Sequence, residues 1–366
     1  MRASFHAGAL LSAIEQVKPV VPAKSPKPIL QQIKLICGNG EARLAANDLE
    51  IGISCTVEPL SVDVAGQALL PPDKMITLLK NVAKDAEIRI ISDDRKTELV
   101  TDKGRSNHVT EDASLFPDIP VIEFGKNVFS VDYKQFTTGI NQTVLSTDPD
   151  STRYALGGVC FAVDPDASVL DMIATDGRRL CRYTLPVNLA GGSDSPVVPI
   201  KALQLVAKIK GEEFCNVTMA NNYVSFRTSK CTITARTLEG RFPRWQDVIP
   251  ESSKTKVFIL PKELTGAIAS AAVTTSEESR GVTLAFEPDV CTASSKSADA
   301  GSSLFGFEAK IEGDPVTVTV DPRYLVPHLH LLGDTPAEIG LISRKESILV
   351  KSADFQLVVM PLTPEE

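Results

Sequence analysis

Asp176, in the run Ala174-Thr175-Asp176-Gly177-Arg178-Arg179-Leu180, is by type a candidate catalytic carboxylate. General acid–base work needs a second titratable group within reach. The run supplies none, and Asp-Gly is a tight-turn pair, so the stretch predicts a turn between strands. Of the four histidines, His6, His108, His328 and His330, only the last two are close in sequence. On a helix, residues i and i+2 face apart, and no cysteine or carboxylate completes a metal set with them. Gly157-Gly158 and Gly191-Gly192 lack the spacing of a phosphate-binding loop. No Ser/His/Asp or Cys/His constellation is evident. The sequence predicts a binding scaffold with no catalytic residues, no metal and no cofactor.

The elements that position these residues recur. Pro72-Asp73-Lys74-Met75-Ile76-Thr77-Leu78-Leu79-Lys80, Pro199-Ile200-Lys201-Ala202-Leu203-Gln204-Leu205-Val206-Ala207 and Asp321-Pro322-Arg323-Tyr324-Leu325-Val326-Pro327-His328-Leu329 align without gaps. Lys74, Lys201 and Arg323 share one place, 127 and 122 residues apart. Each segment follows a short apolar run and reads as a helix. Ala202, Leu205, Val206 and Ile209 form one apolar face, with Lys201, Gln204 and Lys208 opposite. Pro322 suits the first helical position, whereas Pro327 should strain or kink its helix. A second set of helices opens each third, at 9–17, 133–144 and 262–273, after short runs containing Phe5, Phe129 or Phe258. Strands follow at 29–36, 157–163 and 281–286. Each third therefore reads strand–helix–strands twice, an α+β unit in three tandem copies.

The chain of 366 residues, 43% hydrophobic and 23% charged, has ample core material for two or three domains. Its net charge of −8 argues against a uniformly basic coat but permits a basic stripe. The start does not read as a signal peptide, and no run approaches the ~20 apolar residues of a membrane span. The seven cysteines, scattered and odd in number, read as buried free thiols of a reducing, cytoplasmic compartment.

Several motifs carry a family resemblance. Thr175-Asp176-Gly177-Arg178-Arg179-Leu180 resembles the T-D-G-x-R-L motif of the bacterial DNA sliding clamps, the beta subunits of DNA polymerase III. Arg153-Tyr154-Ala155-Leu156-Gly157-Gly158 looks like the segment that precedes it. Leu238-Glu239-Gly240-Arg241-Phe242-Pro243 is similar to the family's E-G-R-F-P turn, and Val358-Val359-Met360-Pro361-Leu362 resembles its V-M-P ending. Pro28-Ile29-Leu30 and Asn47-Asp48-Leu49-Glu50 match near the start.

The resemblance implies three clamp domains, at 1–125, 126–253 and 254–366, with joints near 123–126 and 251–255. It implies a ring-shaped, head-to-tail homodimer with helices lining a central hole and antiparallel sheets outside. Such a processivity factor encircles double-stranded DNA, has no active site, and tethers the polymerase catalytic subunit. Its other partners are a clamp-loader complex and repair proteins carrying clamp-binding peptides.

Non-specific DNA affinity comes from Lys and Arg on phosphates, without base readout. The second helices are expected to supply Lys74, Lys80 and Lys84, then Lys201 and Lys208, then Arg323. The resemblance adds Lys24, Arg153 and Tyr154. It also implies a partner-peptide pocket at Leu156, Thr175, Gly177, Arg178, Arg179, Leu180, Pro243, Val248, Val358, Val359, Met360, Pro361 and Leu362. A groove of Val, Met, Leu and Pro can bury an apolar anchor, with Met adapting its shape. Arg178 stands where many members carry His, and Asp247 where some carry a basic residue, which points to peptides with basic flanks. Two other classes compete: an enzyme whose site is assembled from all three domains, and a repeat-built adaptor with no nucleic-acid role. The first would need convergent titratable groups; the second would not be retained on circular DNA.

Overall fold

Alternation of apolar and polar residues sets the strands of this protein, and proline sets the starts of three of its helices. A computed structural model describes residues 1–93, 95–122, 128–151, 154–189, 195–220, 222–276, 280–288 and 290–362, with the side chains of Tyr154 and Leu189 excepted. The helices are α1 (Ala7–Val17), α2 (Pro72–Lys80), α3 (Tyr133–Thr143), α4 (Ile200–Val206), α5 (Pro261–Ala271) and α6 (Pro322–Leu332). Proline opens α2, α5 and α6, where its missing N–H is not needed. Asp321 caps α6 by accepting from the backbone N–H of Arg323. Among the described residues no helix is long and apolar enough to cross a membrane.

The chain divides into two compact units, Met1–Tyr133 with Leu189–Gly191 and Lys201–Thr237, and Lys134–Asn188 with Gly192–Ile200 and Leu238–Glu366. The first holds an antiparallel sheet in the order Ser61–Val64, Arg2–His6, Glu87–Ser92, Lys96–Val100, Arg105–Val109. Its other sheet runs Val128–Asp132, Phe214–Ala220, Tyr223–Arg227, Cys231–Arg236, Ile51–Val57, Glu41–Asn47, Ile33–Gly38, Gly66–Leu70. The strands of one third thus pair directly with those of the next, with Cys231 opposite Cys55. Helices α1 and α2 pack together in this unit. Phe5 and Phe129, which precede the opening helices, are fully buried.

The second unit repeats the plan. Its long antiparallel sheet is ordered Val197–Pro199, Gly158–Asp164, Val169–Thr175, Arg179–Pro186, Phe355–Val359, Ile348–Ser352, Ala337–Leu341, Thr255–Ile259, Lys310–Glu312. A four-stranded sheet runs Gly301–Phe307, Cys291–Ser297, Val282–Phe286, Val316–Val320. Helices α5 and α6 pack together, and α6 leads into Ala337–Leu341.

The structure corrects the sequence reading at four points. Cys55 and Cys231 are joined in a disulfide, leaving Cys37, Cys160, Cys181, Cys215 and Cys291 as the buried free thiols. Sequence spacing could not reveal a bridge that depends on strand register. Residues 28–31 form a 3-10 turn, and the strand starts only at Ile33. Helix α4 ends at Val206, so Lys208 lies in the turn beyond it, though Ile209 is still buried. Lys84 likewise follows α2, which ends at Lys80. Finally, α6 runs through Pro327 to Leu332 without interruption. The joint expected at 123–126 lies outside the described residues.

Candidate functional site

The Thr175–Leu180 turn is built by Asp176. Its Oδ1 accepts from the backbone N–H groups of Arg178 and Arg179, both at 2.9 Å, and its Oδ2 from Arg179 Nε at 3.0 Å. Gly177 sits at φ +85°, where a side chain would be strained. Thr175 Oγ1 donates to the Arg179 carbonyl at 2.7 Å and accepts from Gly177 N–H at 3.1 Å. The predicted turn is therefore real, and its carboxylate is consumed by the turn itself. The loop presents two guanidinium groups. Arg178 Nη1 donates to the Tyr324 hydroxyl at 2.9 Å, and the Arg179 guanidinium lies 5.2 Å from the Tyr324 ring.

Pro327 cannot donate the helical bond to the carbonyl four residues earlier, that of Arg323. Arg179 Nη1 donates there instead, at 3.1 Å. The helix thus continues past Pro327 to Leu332, with the carbonyl that the proline leaves without its helical donor satisfied from another element.

After this turn the chain enters Arg179–Pro186, which pairs with the last strand. Leu180 lies opposite Val358, and Arg179 opposite Val359. Leu180 and Val358 are buried in one apolar cluster with Ala155, Cys160 and Ile173. Over this cluster pack the half-buried Leu238, Phe242, Trp245 and Ile249. Arg182 holds Asp171 in a two-pronged pair, both bonds 2.8 Å, and its guanidinium lies 5.1 Å from the Trp245 ring. The ring's position is thereby set from below.

Of the predicted pocket residues, Leu156, Thr175, Leu180, Val358 and Val359 are buried, and Leu180 and Val358 share the apolar cluster. Gly177, Arg178, Pro243, Val248 and Met360 are exposed. Val248 shows 43% of its surface and Met360 48%, so both present apolar area to solvent. Met360 is fixed through its N–H to the Arg178 carbonyl at 2.9 Å, and Leu362 through its N–H to the Thr319 carbonyl at 2.8 Å. Pro361, between them, is half-buried. Sequence reasoning missed Tyr324 and gave Trp245 and Phe242 no role. For Phe242 and Trp245 the available signal was their place within and just after the E-G-R-F-P run.

The cationic residues are divided. Lys24, Lys74, Lys80, Lys84, Lys201 and Lys208 belong to the first unit and Arg323 to the second. All are exposed. Lys80 pairs with Glu15 at 3.0 Å and Lys201 with Asp48 at 2.5 Å. Arg323 Nη2 meets Asp321 Oδ2 at 2.5 Å, while its Nε lies 3.0 and 3.1 Å from the two Asp321 oxygens. Burial pushes the Asp321 carboxyl up, but the bonds from Arg323 prevail and hold it below the usual range. Three of the predicted cations thus carry a carboxylate that sequence did not disclose. Lys24, Lys74, Lys84 and Lys208 are not in the ion pairs of the described residues. Arg153 lies outside the described residues, and only the backbone of Tyr154, in a short 3-10 turn, is placed.

His328 is a core residue. It is fully buried, with Nε2 3.0 Å from Ser146 Oγ and Nδ1 3.1 Å from Gln142 Oε1. Burial first, and the charge of Arg179 second, push its pKa down to about 3.

Family models cover nearly the whole chain in order: the N-terminal domain of the DNA polymerase III beta subunit at residues 1–122, the central domain at 130–244 and the C-terminal domain at 246–363. The beta sliding clamp of Caulobacter vibrioides is 25% identical over 375 residues, covering 99% of this chain and 100% of that protein. That of Synechococcus elongatus is 24% identical over 370 residues, covering 96% of each. The fold superposes on the crystal structure of DNA polymerase III subunit beta from Pseudomonas aeruginosa with a TM-score of 0.91, at 22% identity over 99% of this chain and 100% of that one. A DNA polymerase sliding clamp from Bacillus subtilis gives 0.91 at 22% identity, with 100% of each chain covered. The chain belongs to the family of DNA polymerase III beta subunits, the sliding clamps that serve a polymerase as accessory processivity factors and not as catalysts.

Proposed function

We propose that two copies of this chain close into a ring around double-stranded DNA and hold the polymerase catalytic subunit to its template. Three clamp domains, 1–125, 126–253 and 254–366, make up each copy. The observation that carries this reading is the order of the three domain models along 1–363, together with a helix in each third that starts with a cation at the same place. Lys24, Lys74, Lys80, Lys84, Arg153, Tyr154, Lys201, Lys208 and Arg323 face the duplex and neutralise phosphates without reading bases. Lys24, Lys74, Lys84 and Lys208 contribute more per residue than Lys80, Lys201 and Arg323, which must first release a carboxylate.

The site around Leu180, Val358 and Met360 takes short linear peptides from polymerases, the clamp loader and repair proteins. Its apolar floor accepts the anchor side chain. Asp247, exposed beside Val248, favours basic flanks in the peptide.

The ring needs two complementary edges on each chain. Two edge strands have exposed apolar side chains: Arg105–Val109, with Val109 92% exposed, and Gly301–Phe307, with Leu304 68% exposed. An open strand edge carrying apolar side chains pairs readily with another chain. Sedimentation equilibrium tests the assembly. It should return twice the 39.3 kDa chain mass, and a monomer at micromolar concentration would overturn the ring.

A further inference from the structure

The Thr175–Leu180 turn has a copy in the first unit. Asp48 Oδ1 accepts from the backbone N–H groups of Glu50 at 3.1 Å and Ile51 at 2.7 Å, as Asp176 Oδ1 does from those of Arg178 and Arg179. Leu49 stands at φ +78°, in the place of Gly177 at +85°. After each turn the chain enters a strand that pairs with a later part of the sequence. Ile51 lies opposite Ala235 as Arg179 lies opposite Val359. The Arg236 N–H donates to the Glu50 carbonyl at 2.9 Å, as the Met360 N–H donates to that of Arg178. Each unit therefore holds a seam of the same design.

The two seams differ at one rung. Four residues beyond Ile51 stands Cys55, opposite Cys231; four beyond Arg179 stands Tyr183, opposite Phe355. The second seam fills this rung with two buried aromatic side chains. The first ties it with a disulfide between residues 176 apart in sequence. Since the second seam pairs its strands with no covalent bond, the bridge is an addition to the ladder and not a condition of it. Its two cysteines are 1% and 2% exposed, so a reagent meets the sulfurs only when the strands part. Attack from within the chain is suppressed. The thiolate is the attacking species, and burial pushes up the thiols of Cys37, Cys160, Cys181, Cys215 and Cys291, to about 11 in Cys37 and about 12 in Cys160 and Cys215. At neutral pH these five are almost wholly protonated.

We propose that Cys55 and Cys231 form a redox latch on the first seam, closed by a small disulfide oxidant once the strands have paired and released by an external dithiol when they part. In release, a thiolate of the dithiol attacks one sulfur of the bridge and forms a mixed disulfide. The expelled cysteine takes up a proton. The second thiol of the reagent then displaces the other cysteine, which is protonated in turn, and the reagent leaves as its own disulfide. One electron pair passes from reagent to bridge, and closure is the reverse exchange. The closed latch restricts the unfolded chain by a long loop. The open latch leaves strands Ile51–Val57 and Cys231–Arg236 to their hydrogen bonds and packing, as in the second seam. The state of the bridge therefore follows the thiol balance of the surroundings and sets how readily this seam opens. It does not depend on the chain encircling DNA.

The test treats the full chain with oxidised glutathione, unfolds it in guanidinium and alkylates it with iodoacetamide. Mass spectrometry should find five alkylated cysteines, and all seven when dithiothreitol precedes the alkylation. Dithiothreitol should lower the melting temperature by roughly 5 °C. In the Cys55→Ser/Cys231→Ser chain it should shift nothing; if that variant fails to fold, the unsubstituted chain carries the comparison by itself. Reduction of the folded chain should be slower than in guanidinium by on the order of tenfold or more, because the bridge is reached only through the opened seam. Seven alkylated cysteines after the glutathione treatment would overturn the proposal, as would equal melting temperatures with and without dithiothreitol. Reduction as fast in the folded chain as in guanidinium would also overturn it.

Discussion

Arg179 donates from Nη1 to the main-chain carbonyl of Arg323 at 3.1 Å, the bond that Pro327 denies to its own helix. A side chain of the Thr175–Leu180 turn thus completes α6, and the turn and the helix start are held together. Arg179→Ala should cost about 1.5–3 kcal/mol, the range for a hydrogen bond to a charged group. In a Pro327→Ala background the helix regains its own donor, and the same substitution should cost less. Urea unfolding of the four proteins in this cycle checks the coupling; strictly additive losses would refute it.

His328 makes stability depend on pH. Its folded pKa of about 3 lies below the ordinary value of 6.5, so the unfolded state binds the extra proton between these values. The stabilisation of the neutral form is therefore complete above about 6.5 and is lost as pH falls toward 3. Between pH 7 and pH 5 the loss from this residue should be about 2 kcal/mol. His328→Asn should flatten the profile over that interval. An equal slope in the two proteins would mean that another group governs it.

Met360 is an exposed residue of the proposed peptide site, and its backbone N–H is held by the Arg178 carbonyl. Met360→Ala should weaken a bound polymerase peptide on the order of tenfold while leaving the melting temperature in place. Truncation from Val358 is a poor probe, because Val358 and Val359 are buried strand residues whose loss would unfold the sheet. Unchanged affinity in Met360→Ala, measured by calorimetry, would remove Met360 from the site.

The cations should differ in their effect on salt dependence. Lys74→Ala should lower the magnitude of the slope of log K against log salt by about 0.9, the share of one phosphate contact. Arg323→Ala should lower it less, because Asp321 already neutralises that guanidinium. A larger change from Arg323 than from Lys74 would show that the Asp321 pair opens on DNA.

What the sequence disclosed was local. Apolar spacing gave the six helices, Asp176-Gly177 gave the turn, and the register of Lys74, Lys201 and Arg323 gave the repeat. What stayed hidden lies far apart along the chain. Cys55 and Cys231, 176 residues apart, become neighbours only because two thirds of the chain share a sheet. The Asp48 partner of Lys201 and the Arg179 donor to the Arg323 carbonyl of α6 are likewise contacts between residues more than 140 positions apart. Leu180 and Val358 were each named for the site, but their direct opposition across two strands could not be read from either motif.

The central claim is topological retention on DNA. The most direct measurement loads the protein onto nicked circular plasmid, isolates the complex by gel filtration, and then cuts the circle with a restriction enzyme. The account predicts that the protein stays with the circle at moderate salt and leaves once the DNA has ends. Equal retention on circular and linear DNA, or none on either, would contradict it.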